Sequence, residues 1–120
     1  MARILVVDDE EDVLELTRLM LESEGYTVET ARSGEEALGK VYDWRPDLVL
    51  LDAVMPGTHG LDVCRRLKRD KDTRRIPVII FTALGTGVDL MLGEGDKADG
   101  YLQKPFTKRQ LMDLIQRLIG

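Results

Sequence analysis

Five short apolar runs divide the chain, at residues 4–7, 26–30, 48–51, 78–81 and 101–102, and between them apolar residues recur at three-to-four spacing. Short strand-length runs alternating with helical periodicity predict parallel strands joined by crossover helices. Runs 48–51 and 78–81 are apolar on both faces, as central strands covered by helices on both sides should be. Val13, Leu16, Leu19 and Met20 predict the buried stripe of the first helix, and Leu111, Leu114, Ile115 and Leu118 that of the last. Gly25 stands where the first helix should stop. Ser33 with Glu36, and Thr107 with Gln110, read as N-terminal caps of the second and last helices. The fourth crossover, "LGTGVDLMLGEGDKADG", carries Gly85, Gly87, Gly93 and Gly95. Each glycine costs a helix about 1 kcal/mol relative to alanine, so a short or mobile fourth helix is expected. The pattern as a whole predicts an α/β fold, a doubly wound (βα)5 sandwich on a five-stranded parallel sheet.

Ligands of such folds gather outside the carboxyl ends of the strands, at the switch in strand order. Asp8 and Asp9 follow the first run, Asp52 the third, Thr82 the fourth, and Lys104 with Pro105 the fifth. Three carboxylates, a hydroxyl and an ammonium are therefore expected in one crevice. Two carboxylates 4 Å apart in a partly buried setting repel by about 4 kcal/mol at an effective dielectric near 20. A hard cation would relieve that repulsion, and an all-oxygen set with no histidine or cysteine suits Mg²⁺, with Mn²⁺ as the alternative ion. A metal, an ammonium and a hydroxyl also suit a phosphoryl group. Asp52 is the candidate nucleophile, because phosphoryl transfer is catalysed mainly by positioning and charge neutralisation and needs no separate base. In "VVDDEED" the valines end the first strand, Asp8 and Asp9 are the candidate ligands, and Glu10, Glu11 and Asp12 favour the positive end of the first helix. Glu10 is a marginal third candidate, through a metal-bound water.

Composition narrows the class without changing this picture. With 120 residues, 43% hydrophobic and 32% charged, the chain reads as one domain over 1–120, with no output domain in it. It contains no signal-peptide pattern and no membrane-length apolar stretch, so a cytoplasmic location is expected. The net charge of −5 argues against nucleic-acid binding, and the seven basic residues from Arg65 to Arg75 read as a solvated helix end. Cys64 lies on an apolar helix face and reads as a packing residue.

Taken together, "ILVVDDEE", "PDLVLLDAVMPGTHGLDV", "PVIIFTA" and "ADGYLQKPF" resemble the motifs of the receiver domains of two-component response regulators, the chemotaxis regulator-like family. The resemblance spans the chain and implies a flavodoxin-like sheet in the order 2-1-3-4-5. It implies a phosphorylation-activated switch in which Asp52 accepts a phosphoryl group from the phosphohistidine of a sensor histidine kinase or histidine phosphotransfer protein. By the same resemblance, Asp9, Asp52 and the Val54 carbonyl bind Mg²⁺ directly and Asp8 acts through metal-bound water. Thr82, Lys104 and the Ala83 backbone hold the phosphoryl oxygens, Tyr101 swings inward when Thr82 moves, and the Lys104–Pro105 peptide is cis. The face made by the fourth helix, fifth strand and last helix then controls an effector or attached output domain, and supports a phosphorylation-dependent dimer. "DKADG" departs from the commoner Gly-Ala-Asp, which bears on that output face. Val54 and Leu84, two residues beyond Asp52 and Thr82, occupy positions that in related receivers influence attack of water on the phosphoryl group. Both are apolar here, implying a long-lived phosphorylated state.

Such a domain is not a turnover enzyme; it catalyses its own phosphorylation and slow dephosphorylation. Two other readings stand beside this one. A haloacid-dehalogenase-like Mg²⁺-dependent phosphatase also uses an aspartate after a strand, but normally has a second aspartate where this chain has Val54. A pseudo-receiver would bind a partner without phosphorylation, although Asp9, Asp52 and Lys104 are all present.

Overall fold

In the computed structural model, residues 2–55, 59–82 and 94–120 are described. The sheet is built from β1 (Arg3–Val7), β2 (Thr27–Ala31), β3 (Leu48–Asp52), β4 (Val78–Thr82) and β5 (Gly100–Gln103), all parallel, in the order β2-β1-β3-β4-β5. The helices are α1 (Glu11–Glu22), α2 (Gly34–Trp44), α3 (Gly60–Arg69) and α4 (Lys108–Ile119), with a 3-10 turn at Glu94–Asp96. The expected fourth-crossover helix falls largely on residues 83–93, outside the described residues; of its glycines, Gly95 lies in the 3-10 turn.

Strand alternation divides the apolar side chains between two cores. Leu5, Val7, Val49, Leu51, Val78 and Ile80 face α2 and α3, while Ile4, Val6, Leu48, Leu50, Ile79 and Phe81 face α1 and α4. Every residue of β3 and β4 is buried, which explains their uninterrupted apolar runs.

Ser33 accepts from the Glu36 amide at 3.1 Å, and Thr107 and Gln110 form a reciprocal capping box on α4. Gly25 has φ 93°, a left-handed turn three residues beyond the end of α1. Arg45 ends α2 in the left-handed region at φ 54°; its carbonyl accepts from the Arg3 guanidinium at 2.6 Å, and its own guanidinium lies 5.7 Å from the Tyr42 ring centre.

The expected α1 stripe needs correcting. Leu14, Thr17 and Leu21 are the buried residues of the helix, whereas Leu16 is 57% and Leu19 53% exposed. Both sets satisfy helical spacing, so periodicity alone did not separate them. The buried set includes a threonine, so hydropathy alone ranks it the poorer stripe.

The basic run on and after α3 is mostly exposed, as a solvated helix end should be, but two of its members are committed to the fold. Lys68, nearly buried, donates to Asp99 at 2.6 Å and to the carbonyls of Arg74 and Ile76, and Asp99 in turn accepts from the Val78 amide. Arg69 forms a two-pronged pair with buried Asp96 at 2.9 and 2.8 Å, tying α3 to the 3-10 turn. Burial pushes the Cys64 thiol up to about 11, and its Sγ donates to the Asp96 carbonyl, so it packs as expected and is a poor nucleophile.

Candidate functional site

The strands deliver the expected residues to one end of the sheet. Asp8 lies one residue past β1, and its amide donates to the Ala31 carbonyl, extending the ladder with β2. Asp52 and Thr82 are the last residues of β3 and β4 rather than the first after them, and Asp52 is in register with Phe81. Asp8, Asp52 and Thr82 are all buried. Carboxylate oxygens of Asp8, Asp9 and Asp52 come within 4.8 Å of one another. This cluster, with no softer ligand in it, fits a hard divalent cation.

Lys104 follows β5, and its amide donates to the Thr82 carbonyl at 2.8 Å. Its ammonium donates to Asp8 at 2.7 Å and to Asp52 at 3.4 Å. The pairing with Asp8 was not foreseen. Sequence spacing brings Lys104 to the crevice but does not say which carboxylate it meets when no phosphoryl group is present. The other Asp8 oxygen accepts from the Glu10 amide at 2.9 Å, which fixes the carboxylate as α1 begins. Glu10 thus contributes through its backbone, and its side chain makes no cap hydrogen bond.

Burial raises the Asp52 carboxyl above its ordinary range, against the opposing pull of Lys104 and the Val54 amide. Burial acts on Lys104 in the opposite sense, but the hydrogen bond to Asp8 and the charges of Asp52 and Asp8 outweigh it and hold the ammonium above its ordinary value. Asp52 is therefore a carboxylate with weakened solvation beside a firmly charged ammonium. This arrangement suits attack on an electron-poor phosphorus whose oxygens need a positive partner.

The remaining expected residues are less concentrated. Val54 is 47% exposed, and its amide donates to Asp52 at 3.3 Å. The Tyr101 side chain is at the surface, 38% exposed, with its hydroxyl accepting from the Ala98 amide at 3.3 Å. Ala83 and Leu84 lie outside the described residues. The Lys104–Pro105 peptide is cis. An apolar cleft of about 370 Å³ opens beside Lys104, walled by Val13, Leu16, Thr17 and Met20 of α1 and by Lys104, Pro105 and Phe106. Exposed Leu16 lines this cleft.

Two residues of the neighbourhood went unread in the sequence. Phe81 lies under the Lys104 ammonium, 4.7 Å from ring centre to Nζ. Gly60 opens α3 against the end of β3, where a Cβ would stand 1.6 Å from the Asp52 carbonyl oxygen. An aromatic in a strand and a glycine at a helix start each have commoner explanations, and only the register and the approach of α3 give them a place at the site.

Residues 4–116 match the model of the response regulator receiver domain. The DNA-binding response regulator MtrA of Mycobacterium tuberculosis is 42% identical over 114 residues, 95% of this chain and 49% of that protein. The phosphate regulon transcriptional regulatory protein PhoB of Rhizobium meliloti is 38% identical over 117 residues, 98% of this chain and 52% of that protein. The chain thus spans about half the length of the curated relatives it matches. Among solved structures, response regulator TrrA of Thermotoga maritima, in complex with Mg²⁺ and BeF, superposes with a TM-score of 0.86 at 36% identity, covering 99% of this chain and 100% of that one. Chemotaxis protein CheY4 of Vibrio cholerae does so with a TM-score of 0.91 at 30% identity, covering 99% of both chains.

Proposed function

The chain belongs to the response regulator receiver domain family, and from that membership together with the crevice chemistry we propose that Asp52 is its phosphoacceptor. The observation that carries this reading is the cluster of Asp8, Asp9 and Asp52 with the Lys104 ammonium hydrogen-bonded into it. A carboxylate oxygen of Asp52 attacks the phosphorus of a phosphohistidine. The new P–O bond forms as the P–N bond breaks, and that bond's electron pair leaves with the imidazole nitrogen, which takes up a proton. Asp9, Asp52 and the Val54 carbonyl would hold Mg²⁺ directly, and Asp8 would do so through water. When bound, the ion neutralises charge on the phosphoryl oxygens and between the crowded carboxylates. Thr82, the Ala83 amide and Lys104 receive those oxygens.

The donor is a sensor histidine kinase or a histidine phosphotransfer protein, which approaches over the α1 cleft, since Lys104 lines both cleft and crevice. The new charge draws Thr82 and Lys104 inward, Tyr101 follows, and the face of β5, α4 and the crossover before β5 changes. An effector or attached output domain reads that change, with a phosphorylation-dependent dimer as one form of the readout. The work is cytoplasmic. Direct nucleic-acid contact is not assigned to this domain, whose net charge is −5.

Incubation with acetyl phosphate and Mg²⁺, followed by intact-mass analysis, tests the reading. One phosphoryl adduct is expected in the wild type and none in Asp52→Asn; an adduct that survives in Asp52→Asn, or none in the wild type with any donor, overturns it. Multiple turnover of a phosphomonoester, lost in Asp52→Asn, would favour the phosphatase reading instead.

Val54 has no amide or acid with which to orient a water, so the phosphorylated form should be long-lived. Val54→Asn is expected to speed loss of the adduct in Mg²⁺ buffer by about tenfold, the scale of one positioned hydrogen bond in a transition state. Rapid loss from the wild type, unaltered in the variant, would refute the lifetime claim.

A further inference from the structure

The α1 and α4 face of β1, β3 and β4 is aliphatic at Ile4, Val6, Leu48, Leu50 and Ile79, and becomes aromatic at Phe81, beside the nucleophile. Phe81 is fully buried, and its ring makes a T-shaped pair with Phe106, with centres 5.9 Å apart and planes at 81°. That pairing and the surrounding core fix the ring. Lys104 Nζ stands 4.7 Å from its centre while donating to Asp8 at 2.7 Å and Asp52 at 3.4 Å. The lysine side chain is only 18% exposed, so water does little to hold its ammonium. A ring face attracts a cation through its quadrupole, most strongly where solvent is excluded, whereas an aliphatic side chain would leave that side of the ammonium facing hydrocarbon.

We propose that Phe81 is a positioning residue for phosphoryl transfer: its ring face holds the Lys104 ammonium at the junction of Asp8 and Asp52, poised for the incoming phosphoryl oxygens. The attraction to a ring face is less directional than a hydrogen bond and survives small displacements of the cation from the ring centre. Lys104 can thus turn from Asp8 to the phosphoryl group without passing through an unsolvated state. The inference rests on the phosphoacceptor reading of Asp52.

Replacing Phe81 with 4-fluoro-, 3,5-difluoro- and pentafluorophenylalanine by site-specific incorporation tests it, because the series withdraws ring electron density with little change in shape. The initial rate of adduct formation with acetyl phosphate and Mg²⁺ should fall stepwise, by about fivefold or more at the pentafluoro end. Urea midpoints across the series should not fall in parallel. In the metal-free protein, the Lys104 ε-methylene protons should show an upfield ring-current shift that Phe81→Leu abolishes. Equal rates across the series, or Lys104 shifts identical in wild type and Phe81→Leu, overturn the inference while leaving Asp52 as acceptor. If no adduct forms even in the wild type, the phosphoacceptor reading fails first, and the NMR comparison still decides whether Phe81 holds the lysine.

Discussion

Gly60→Ala is expected to cost the fold about 3 kcal/mol or more and to slow adduct formation at Asp52 severely, because one methyl group has nowhere to go. A Cβ at position 60 would lie 1.6 Å from the Asp52 carbonyl oxygen, 2.7 Å from its carbonyl carbon and 3.1 Å from the Ala53 Cα. All three are backbone atoms, so no side-chain rotation relieves the clash. Either α3 retreats, opening the core that holds Val63, Cys64 and Leu67, or the end of β3 shifts and takes Asp52 with it. The first outcome costs stability; the second costs geometry at Asp52, the proposed acceptor, where an error of about 1 Å can reduce rate by about a hundredfold. Urea unfolding and the acetyl phosphate rate read these separately. A Gly60→Ala midpoint within about 0.5 kcal/mol of the wild type would show that α3 does not crowd β3 as described.

Lys104→Met is the second large effect, and its size depends on pH. The variant keeps most of the side-chain volume but leaves Asp8, fully buried, without its ammonium, and Asp52 with Asp8 as an uncompensated neighbour. Removing one member of such a pair costs about 3 kcal/mol or more at neutral pH. In the wild type the ammonium is held above its ordinary value of 10.5. A raised basic group contributes stability that is fully present below its unfolded value and is lost as pH rises through its folded one. The wild-type advantage should therefore last through neutral pH and disappear only in strong alkali. Asp52 has the opposite sign: its carboxyl is raised mainly by burial, so its ionised form opposes folding, and that cost is relieved as pH falls through its folded value. In Lys104→Met the Asp52 carboxyl also loses the ammonium that opposes this rise. The gap between variant and wild-type midpoints should be widest near pH 7 and narrow as pH falls into the acid range. A gap that is constant with pH would mean that Lys104 acts by packing alone. Asp52→Asn removes a charge while leaving Lys104 on Asp8, and should raise the melting temperature by about 3 °C at neutral pH, as expected if the charge opposes folding by about 1 kcal/mol.

Much of this site was legible because parallel α/β sheets put their chemistry at strand ends, where apolar runs stop abruptly. Asp8, Asp52, Thr82 and Lys104 each stand at such a stop, and the structure gathers them at one end of the sheet. Less legible was anything set by distance between elements. The identity of Lys104's partner, the ring beneath it and the need for Gly60 all depend on how closely β3, β4, β5 and α3 approach, which no local pattern encodes. The α1 stripe failed for a related reason: a buried threonine and two exposed leucines, one of them lining a surface cleft, reverse the usual hydropathy argument. The basic run after α3 was readable only as a surface, although Lys68 and Arg69 serve as struts to Asp99 and Asp96.

The ammonium seated on Asp8 comes from 96 residues further along the chain. A polypeptide emerging from the ribosome exposes Asp8 first, then Asp52, and only later the lysine that pairs with both. Contacts of such long sequence separation form late in folding. A chain in which β5 has not docked therefore holds Asp8 and Asp52 without that ammonium, and the docking of one short strand completes the charge balance of the crevice.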